Sequence, residues 1–571
     1  MTEQSQSFPP PSASVPGVER WARRGPSGSS GRDFRGRLRR LGLVWLVVLP
    51  VAGITGLTLL LQALGIVGWD AAAHLYKITL LRDHQSIFWD NNWYGGAYPI
   101  ISYGVVFYYL AQYVSYTLLV GVSTGLLPVF FYLYCRRVYG VQSYLPSVAL
   151  AVVLALYLAN GQDPFLFAMS VVMLGMVLVA YDHPLLATPL IAVALFANPL
   201  AIVVAAVFFV ADFIARRERR RTYARLALYV APFVLAKVVL MVLFAEASSY
   251  MYYAPQVLLF AGFGLSGFAL ARVSRDPERR AKEILFLTFT VFAVATSLLP
   301  NNPLGGNVGR TFFLFGVPLL LSVRDVYLPR FVVVPIIVGF AVGQVAAPTQ
   351  HYVHVADLAS TKASFFTPAL QFAATHYDPD YRFHVVALDT HWEAYYFSVN
   401  NYPITRGWYR QEDALHNAIF DSKTFTAGQY IAWLRMMGVK YIFLPKAPLD
   451  ISGPREARLL ATTPQFHSVY DGPDWIVYRL ADPQPMAVRL SPGGSIKVLY
   501  VDHQALFFDV SRPGTYLIKV TYSPYWQVTE GLGTVSKGPD NFVLLHASDG
   551  GFYGMRVLVD LGSLGQAVSK L

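Results

Sequence analysis

Asp70 and His74 stand four residues apart in Gly68-Trp69-Asp70-Ala71-Ala72-Ala73-His74. A helix beginning at Asp70 therefore puts both side chains on one face. A carboxylate and an imidazole at that spacing serve as a base, a base with its orienter, or a pair of metal ligands. They also have a purely structural use, with Asp70 capping the helix and His74 packed or solvated. The loop continues through Trp89-Asp90-Asn91-Asn92-Trp93-Tyr94-Gly95-Gly96-Ala97-Tyr98-Pro99, with Lys77 and Arg82 as its bases.

A second group suits an anion. Arg310 is the one base in Asn301–Arg310 and opens an apolar run. Such an arginine either grips a lipid phosphate at the membrane surface or snorkels to the headgroups. Lys77 and Arg82 are further phosphate candidates, each also a plausible solvated loop charge. Asp163, in Gly161-Gln162-Asp163-Pro164, reads first as a turn or helix start.

A third cluster lies far along the chain. Arg406-Gly407-Trp408-Tyr409-Arg410-Gln411-Glu412-Asp413 is followed by His416 and Asn417 and preceded by His391-Trp392-Glu393. Planar aromatic faces with amides and carboxylates beside them suit a sugar, whose ring face stacks while its hydroxyls pair. Trp408, Arg410 and Asp413, with Trp93 of the first loop, are the candidates for acceptor recognition. The alternative is an aromatic belt docking this segment on the membrane. The single cysteine, Cys135, rules out an internal disulfide and any cysteine-based metal centre. No glycine-rich phosphate loop or serine nucleophile elbow is present.

The elements that must position these residues are mostly membrane helices. Of the 571 residues 55% are hydrophobic and 14% charged, against about 25% charged in soluble domains. Mean hydropathy is +0.42. The net charge of +11 gathers in short loops between apolar runs, as the positive-inside rule expects, and does not mark a nucleic-acid binder.

Residues 1–40 carry eight arginines among Ser, Pro and Gly and read as a disordered basic cytoplasmic tail. Residues 41–349 read as a polytopic α-helical membrane domain of about eleven spans, with 184–198 and 200–215 as a half-embedded hairpin. Basic loops on the cytoplasmic side put the N-terminus of this multi-pass cell-membrane protein inside, and the odd span count then leaves residues 350–571 extracytoplasmic. Residues 350–481 read as an extracytoplasmic α/β unit, and short strands spaced along 482–571 as a C-terminal β-sandwich.

Asp70…His74…Trp89…Trp93-Tyr94-Gly95-Gly96…Pro99 resembles the GT-C superfamily of membrane glycosyltransferases. More narrowly it is similar to YfhO-type and 6-pyruvoyl-tetrahydropterin synthase-related bacterial membrane proteins, although no pterin-synthase metal triad is present. The ending Tyr522-Ser523-Pro524-Tyr525-Trp526, after Pro513 and Gly514, is also similar to YfhO-type chains. The resemblance implies a polyprenyl-phosphate sugar donor, an envelope glycan, lipid or protein as acceptor, membrane lipids as surroundings, and Asp70 as general base. Asp70 has no second acid beside it, a departure from the commonest pattern of the family that fixes no cofactor and leaves a divalent metal optional. Competing readings are a lipid-linked-glycan transporter or flippase, for which Lys237 within a span is the pointer, and an envelope assembly scaffold.

Overall fold

A long apolar run in lipid can satisfy its backbone only by hydrogen bonding within itself, so helices are expected there. The computed structural model describes residues 29–569 except 67, 102, 245–253, 300–303, 356–357, 409–412, 414–416 and 422–423. The expected tail, 1–40, lies outside the described residues up to position 28. By packing, the chain divides into Met1–Val48 and Leu49–Leu571.

The apolar part folds as α1 (Ser29–Ala63), α2 (Ala71–Arg82), α3 (Val105–Tyr113), α4 (Tyr116–Val138), α5 (Leu145–Tyr157), α6 (Asp163–Ala180), α7 (Pro184–Ala197), α8 (Pro199–Ala215), α9 (Arg220–Leu243), α10 (Ala254–Arg272), α11 (Arg279–Ser297), α12 (Arg310–Ser322) and α13 (Arg330–Val355). Among the described residues, 5 helices are long and apolar enough to cross a membrane: Trp45–Ala63, Tyr116–Val138, Asp163–Ala180, Arg217–Leu243 and Ala254–Arg272. Four apolar helices are shorter. The apolar runs behind the expectation of about eleven spans form helices of unequal length. Asn198, whose side chain caps α8 by accepting from the Leu200 N–H, separates α7 from α8. Arg279, Arg280, Lys282 and Glu283 crowd the first turns of α11.

Gly121 and Gly125 make one close helix crossing. A Cβ on Gly121 would lie 2.8 Å from the Thr55 Cα, and one on Gly125 2.6 Å from the Val51 Cα. This small-xxx-small spacing lets α1 and α4 approach backbone to backbone. The Thr117 hydroxyl donates to the side-chain Oε1 of Gln62 across the same pair.

After α14 (Ala363–His376) comes a sheet of β1 (Arg382–Val385), β2 (Val439–Pro445), β3 (Phe466–Asp471) and β4 (Trp475–Leu480), in the order β1-β2-β4-β3. β1 and β2 are parallel and the other pairs antiparallel. Eight strands follow: β5 (Ala487–Arg489), β6 (Ile496–Val501), β7 (Ala505–Val510), β8 (Gly514–Thr521), β9 (Trp526–Glu530), β10 (Gly533–Lys537), β11 (Phe542–Ala547) and β12 (Gly551–Val557). They form two sheets, β10-β11-β8-β5 and β6-β7-β12-β9. Alternate residues of both, such as Tyr516 and Ile518 from one and Phe508 and Met555 from the other, share one apolar cluster.

The first loop joins these parts. Trp89 enters the β-strand cluster, with its ring 5.7 Å from that of Trp526, while Trp93 packs among α2 and α/β residues. Between them, Asp90 accepts from the Tyr76 hydroxyl at 2.8 Å and pairs with His503 Nδ1 at 2.9 Å. The Asn91 N–H donates to the His503 carbonyl at 2.6 Å.

Candidate functional site

Asp70 occupies the position before α2, where an acid normally caps the helix, but its side chain makes no cap hydrogen bond. Its Oδ1 instead accepts from the Trp408 indole N–H at 3.0 Å. Two glycines set this placement. A Cβ on Gly68 would fall 2.3 Å from the Gly161 Cα, and one on Gly161, where φ is +65, would fall 2.8 Å from the Asp70 nitrogen. The start of the loop thus rests directly on the turn that leads into α6.

That turn presents Gln162 and Asp163. Arg310, at the start of α12, donates from Nη1 to Gln162 Oε1 at 2.6 Å and from Nε to Asn307 Oδ1 at 2.9 Å. Its guanidinium lies over the Phe165 ring, 4.4 Å from the centroid, a cation–π seat that keeps it in place. Gln162 Oε1 also accepts from the Tyr157 hydroxyl at 2.8 Å. Asp163 accepts from the Tyr116 hydroxyl and interacts electrostatically with Asp70.

Burial in this setting pushes the Asp70 pKa from 3.8 up to about 6. Desolvation of the carboxylate outweighs the opposing pull of Arg310, the Trp408 N–H and His391. A carboxyl poised there is mostly ionised at neutral pH yet more basic than an ordinary carboxylate, in the range useful to a general base.

Trp408 reaches Asp70 because Arg406 is locked. The Arg406 guanidinium forks onto Asp413, Nε to Oδ1 at 3.1 Å and Nη2 to Oδ2 at 2.8 Å, and lies 4.4 Å over Phe420. Asp450 and Glu456 stand 4.0 and 3.7 Å away, and this acidic shell holds the guanidinium charged. Trp93 supports the next residue: a Cβ on Gly407 would sit 2.5 Å from its ring. The Trp93 indole N–H donates to Ser398 Oγ at 2.9 Å.

The structure therefore gathers Asp70, Arg310 and Trp408, with Asp163 beside them. Other residues singled out from the sequence are engaged elsewhere. His74 is buried, with Nδ1 2.8 Å from the Tyr108 hydroxyl and Nε2 2.9 Å from the Gly161 carbonyl. Burial, then Lys77, drives its pKa to about 3, so it stays neutral and fastens α2 to the turn. Lys77 is buried near the Tyr103 and Tyr108 rings. Arg82 closes α2 at its far end, about 18 Å along the helix from Asp70. Asp413 serves Arg406, Trp93 is a packing residue, and Arg410 lies outside the described residues. Gln162, Arg406 and His391 were not singled out as site residues. The signal for His391 was its place before Trp392 and Glu393; Gln162 and Arg406 had only adjacency to other candidates. Among the described residues, no group of three or more His, Cys, Asp and Glu side chains comes together to hold a metal ion.

No protein-family model and no curated protein matches the sequence. Solved structures of an oligosaccharyltransferase from Archaeoglobus fulgidus are similar to the chain at low scores. AglB in complex with an inhibitory peptide and a dolichol-phosphate matches at TM-score 0.42 and 11% identity, over 71% of this chain and 69% of that one. The apo form matches at TM-score 0.44 and 11% identity, over 82% and 80%. The form tethered to an acceptor peptide containing the NVT sequon matches at 0.42 and 10%, over 82% and 80%.

Proposed function

We propose that this chain is a membrane glycosyltransferase that moves a sugar from a polyprenyl-phosphate donor to an envelope glycan, lipid or protein acceptor. The observation that carries the reading is the Asp70 carboxyl, which accepts the Trp408 indole N–H from the α/β part and feels the charge of Arg310 from the helical part. An acid, a cation and an aromatic face are the three things such a transfer needs at a membrane surface.

In this reading the Asp70 carboxylate takes the proton of an acceptor hydroxyl as its oxygen bonds to the sugar's anomeric carbon. The bond from that carbon to the phosphate oxygen breaks, and the polyprenyl phosphate leaves with its charge opposite Arg310. Trp408 offers its ring to the acceptor or sugar while its N–H orients Asp70. The membrane domain spans 41–349, with 350–481 as the α/β unit and 482–571 as the sandwich, both outside the cytoplasm.

The test is sugar transfer from a polyprenyl-phosphate donor in proteoliposomes. D70N should lower turnover by about 10²–10⁴-fold while the protein purifies normally. Full activity in D70N overturns the base assignment. Movement of lipid-linked glycan across the bilayer without donor consumption would favour a transporter.

A further inference from the structure

His391 takes no part in the transfer step, yet its surroundings are costly to build. Its backbone is left-handed, φ +53, and its ring is 2% exposed. Neither Nδ1 nor Nε2 has a hydrogen-bond partner. Buried imidazoles are normally satisfied, and strain of this kind persists where the surroundings over-determine it.

Two carboxylates flank the ring. Glu393 Oε1 is 3.5 Å from Nδ1, and Asp450 Oδ2 is 4.0 Å from Nε2. The second Glu393 oxygen, Oε2, also lacks a partner. Arg406 lies beyond Asp450, its Nη2 4.0 Å from the same Oδ2. An acid at each nitrogen suits a ring that carries hydrogen on both. The other face of the imidazole stacks on Trp408, with centroids 3.5 Å apart and planes 16° from parallel. Trp408 in turn holds Asp70.

We propose that His391 is a positioning residue: braced by Glu393 and Asp450 and stacked on Trp408, it holds the indole N–H on Asp70 and lends that carboxylate positive charge. Glu393, Asp450 and, through Asp450, Arg406 are the charged groups that face it; Arg310 supplies Asp70 with a separate cation. The inference rests on Asp70 being the working carboxyl of the proposed transfer, but its test needs no sugar donor.

The full chain in lipid nanodiscs is treated with a water-soluble carbodiimide and an amine across a pH series. Labelling of the Asp70 peptide is read by mass spectrometry, which gives the pH midpoint of that carboxyl. Two variants remove the charge of the ring, one with and one without its stack. H391F keeps the stack and loses the charge, whereas H391N accepts the left-handed backbone and loses both. Each should raise the Asp70 midpoint by about half a pH unit. H391R, which restores a cation, should bring it back toward the wild-type value. A wild-type midpoint in both H391F and H391N, in proteins that melt as the wild type does, overturns the proposal. Transfer activity with unshifted midpoints would sink this inference alone, and shifted midpoints without transfer would sink only the transferase reading.

Discussion

At the scale of single residues, Asp70 decides the pH behaviour. Its folded pKa of about 6 lies above the ordinary 3.8 because the carboxylate is desolvated. Transfer that needs the carboxylate should therefore fall as pH drops through about 6, on a single acid limb. Stability runs the other way. Between the unfolded and folded pKa values the native chain binds more protons than the unfolded one, so this group's contribution fades as pH rises across that window. D70N should accordingly melt no lower than the wild type at pH 8 and lose any advantage at acid pH, measured by thermal shift in detergent. A large loss of melting temperature in D70N at pH 8 would mean that the Asp70 charge is stabilising. Trp408 and Arg310 act on this one carboxyl from opposite parts of the chain, which is why the three belong together.

At the scale of elements, the site depends on two glycines more than on any helix. Gly161 has φ +65, and a Cβ there would approach the Asp70 nitrogen at 2.8 Å. G161A is expected to cost about 1–3 kcal/mol, from backbone strain and displaced packing together. It should lower transfer more than G53A, where a Cβ on α1 would meet nothing within 4 Å. Melting temperature and turnover of the two variants check this; equal behaviour would mean that the turn adapts. The acidic residue at the head of the loop and the helix behind it were legible from spacing alone. The turn at 158–162 showed only as a base-free connection, since its job is to receive another loop.

At the scale of the whole molecule, the first loop clamps the helices to the strand-rich region. His503, in the β6–β7 turn, pairs with Asp90 at 2.9 Å. Burial works against its charge, but the Asp90 bond, Asp90's charge, Asp502 and Asp83 together raise its pKa above 6.5. A group raised in the folded state stabilises fully below its unfolded pKa and loses that contribution as pH rises through the folded one. Hydrogen exchange in the 87–97 segment should therefore speed up above neutral pH in the wild type and be fast, with little pH sensitivity beyond the intrinsic rate, in H503Q. Indifference of the wild type to pH would remove the ion pair from the clamp. Topology is tested at the same scale. Cys135 is buried, so a cysteine placed at exposed Thr462 should react with an impermeant maleimide from outside intact cells. One at exposed Glu218 should react only after permeabilisation. The reverse pattern would invert the proposed orientation.

Local pattern carried what depends on neighbours in sequence. Apolar runs specify helices, alternation specifies β6, β7 and β8, and an aspartate before Ala71 marks a helix start, because backbone periodicity is a short-range property. The same reading did not mark β9 and β10: β9 carries only two apolar positions, Trp526 and Val528, and β10 only Val535. Hydropathy also did not say how long each apolar helix would be: among the described residues 5 reach the length and apolarity of a span and four are shorter. The contact from Trp408 to Asp70 bridges 338 positions, and His503 to Asp90 bridges 413. No spacing rule reaches that far, since loop closure puts residues together only when several packed elements agree. Tertiary structure alone turned His74 and Trp93 toward packing, fastened Asp413 to Arg406, and left Asp70 facing Arg310 and Trp408.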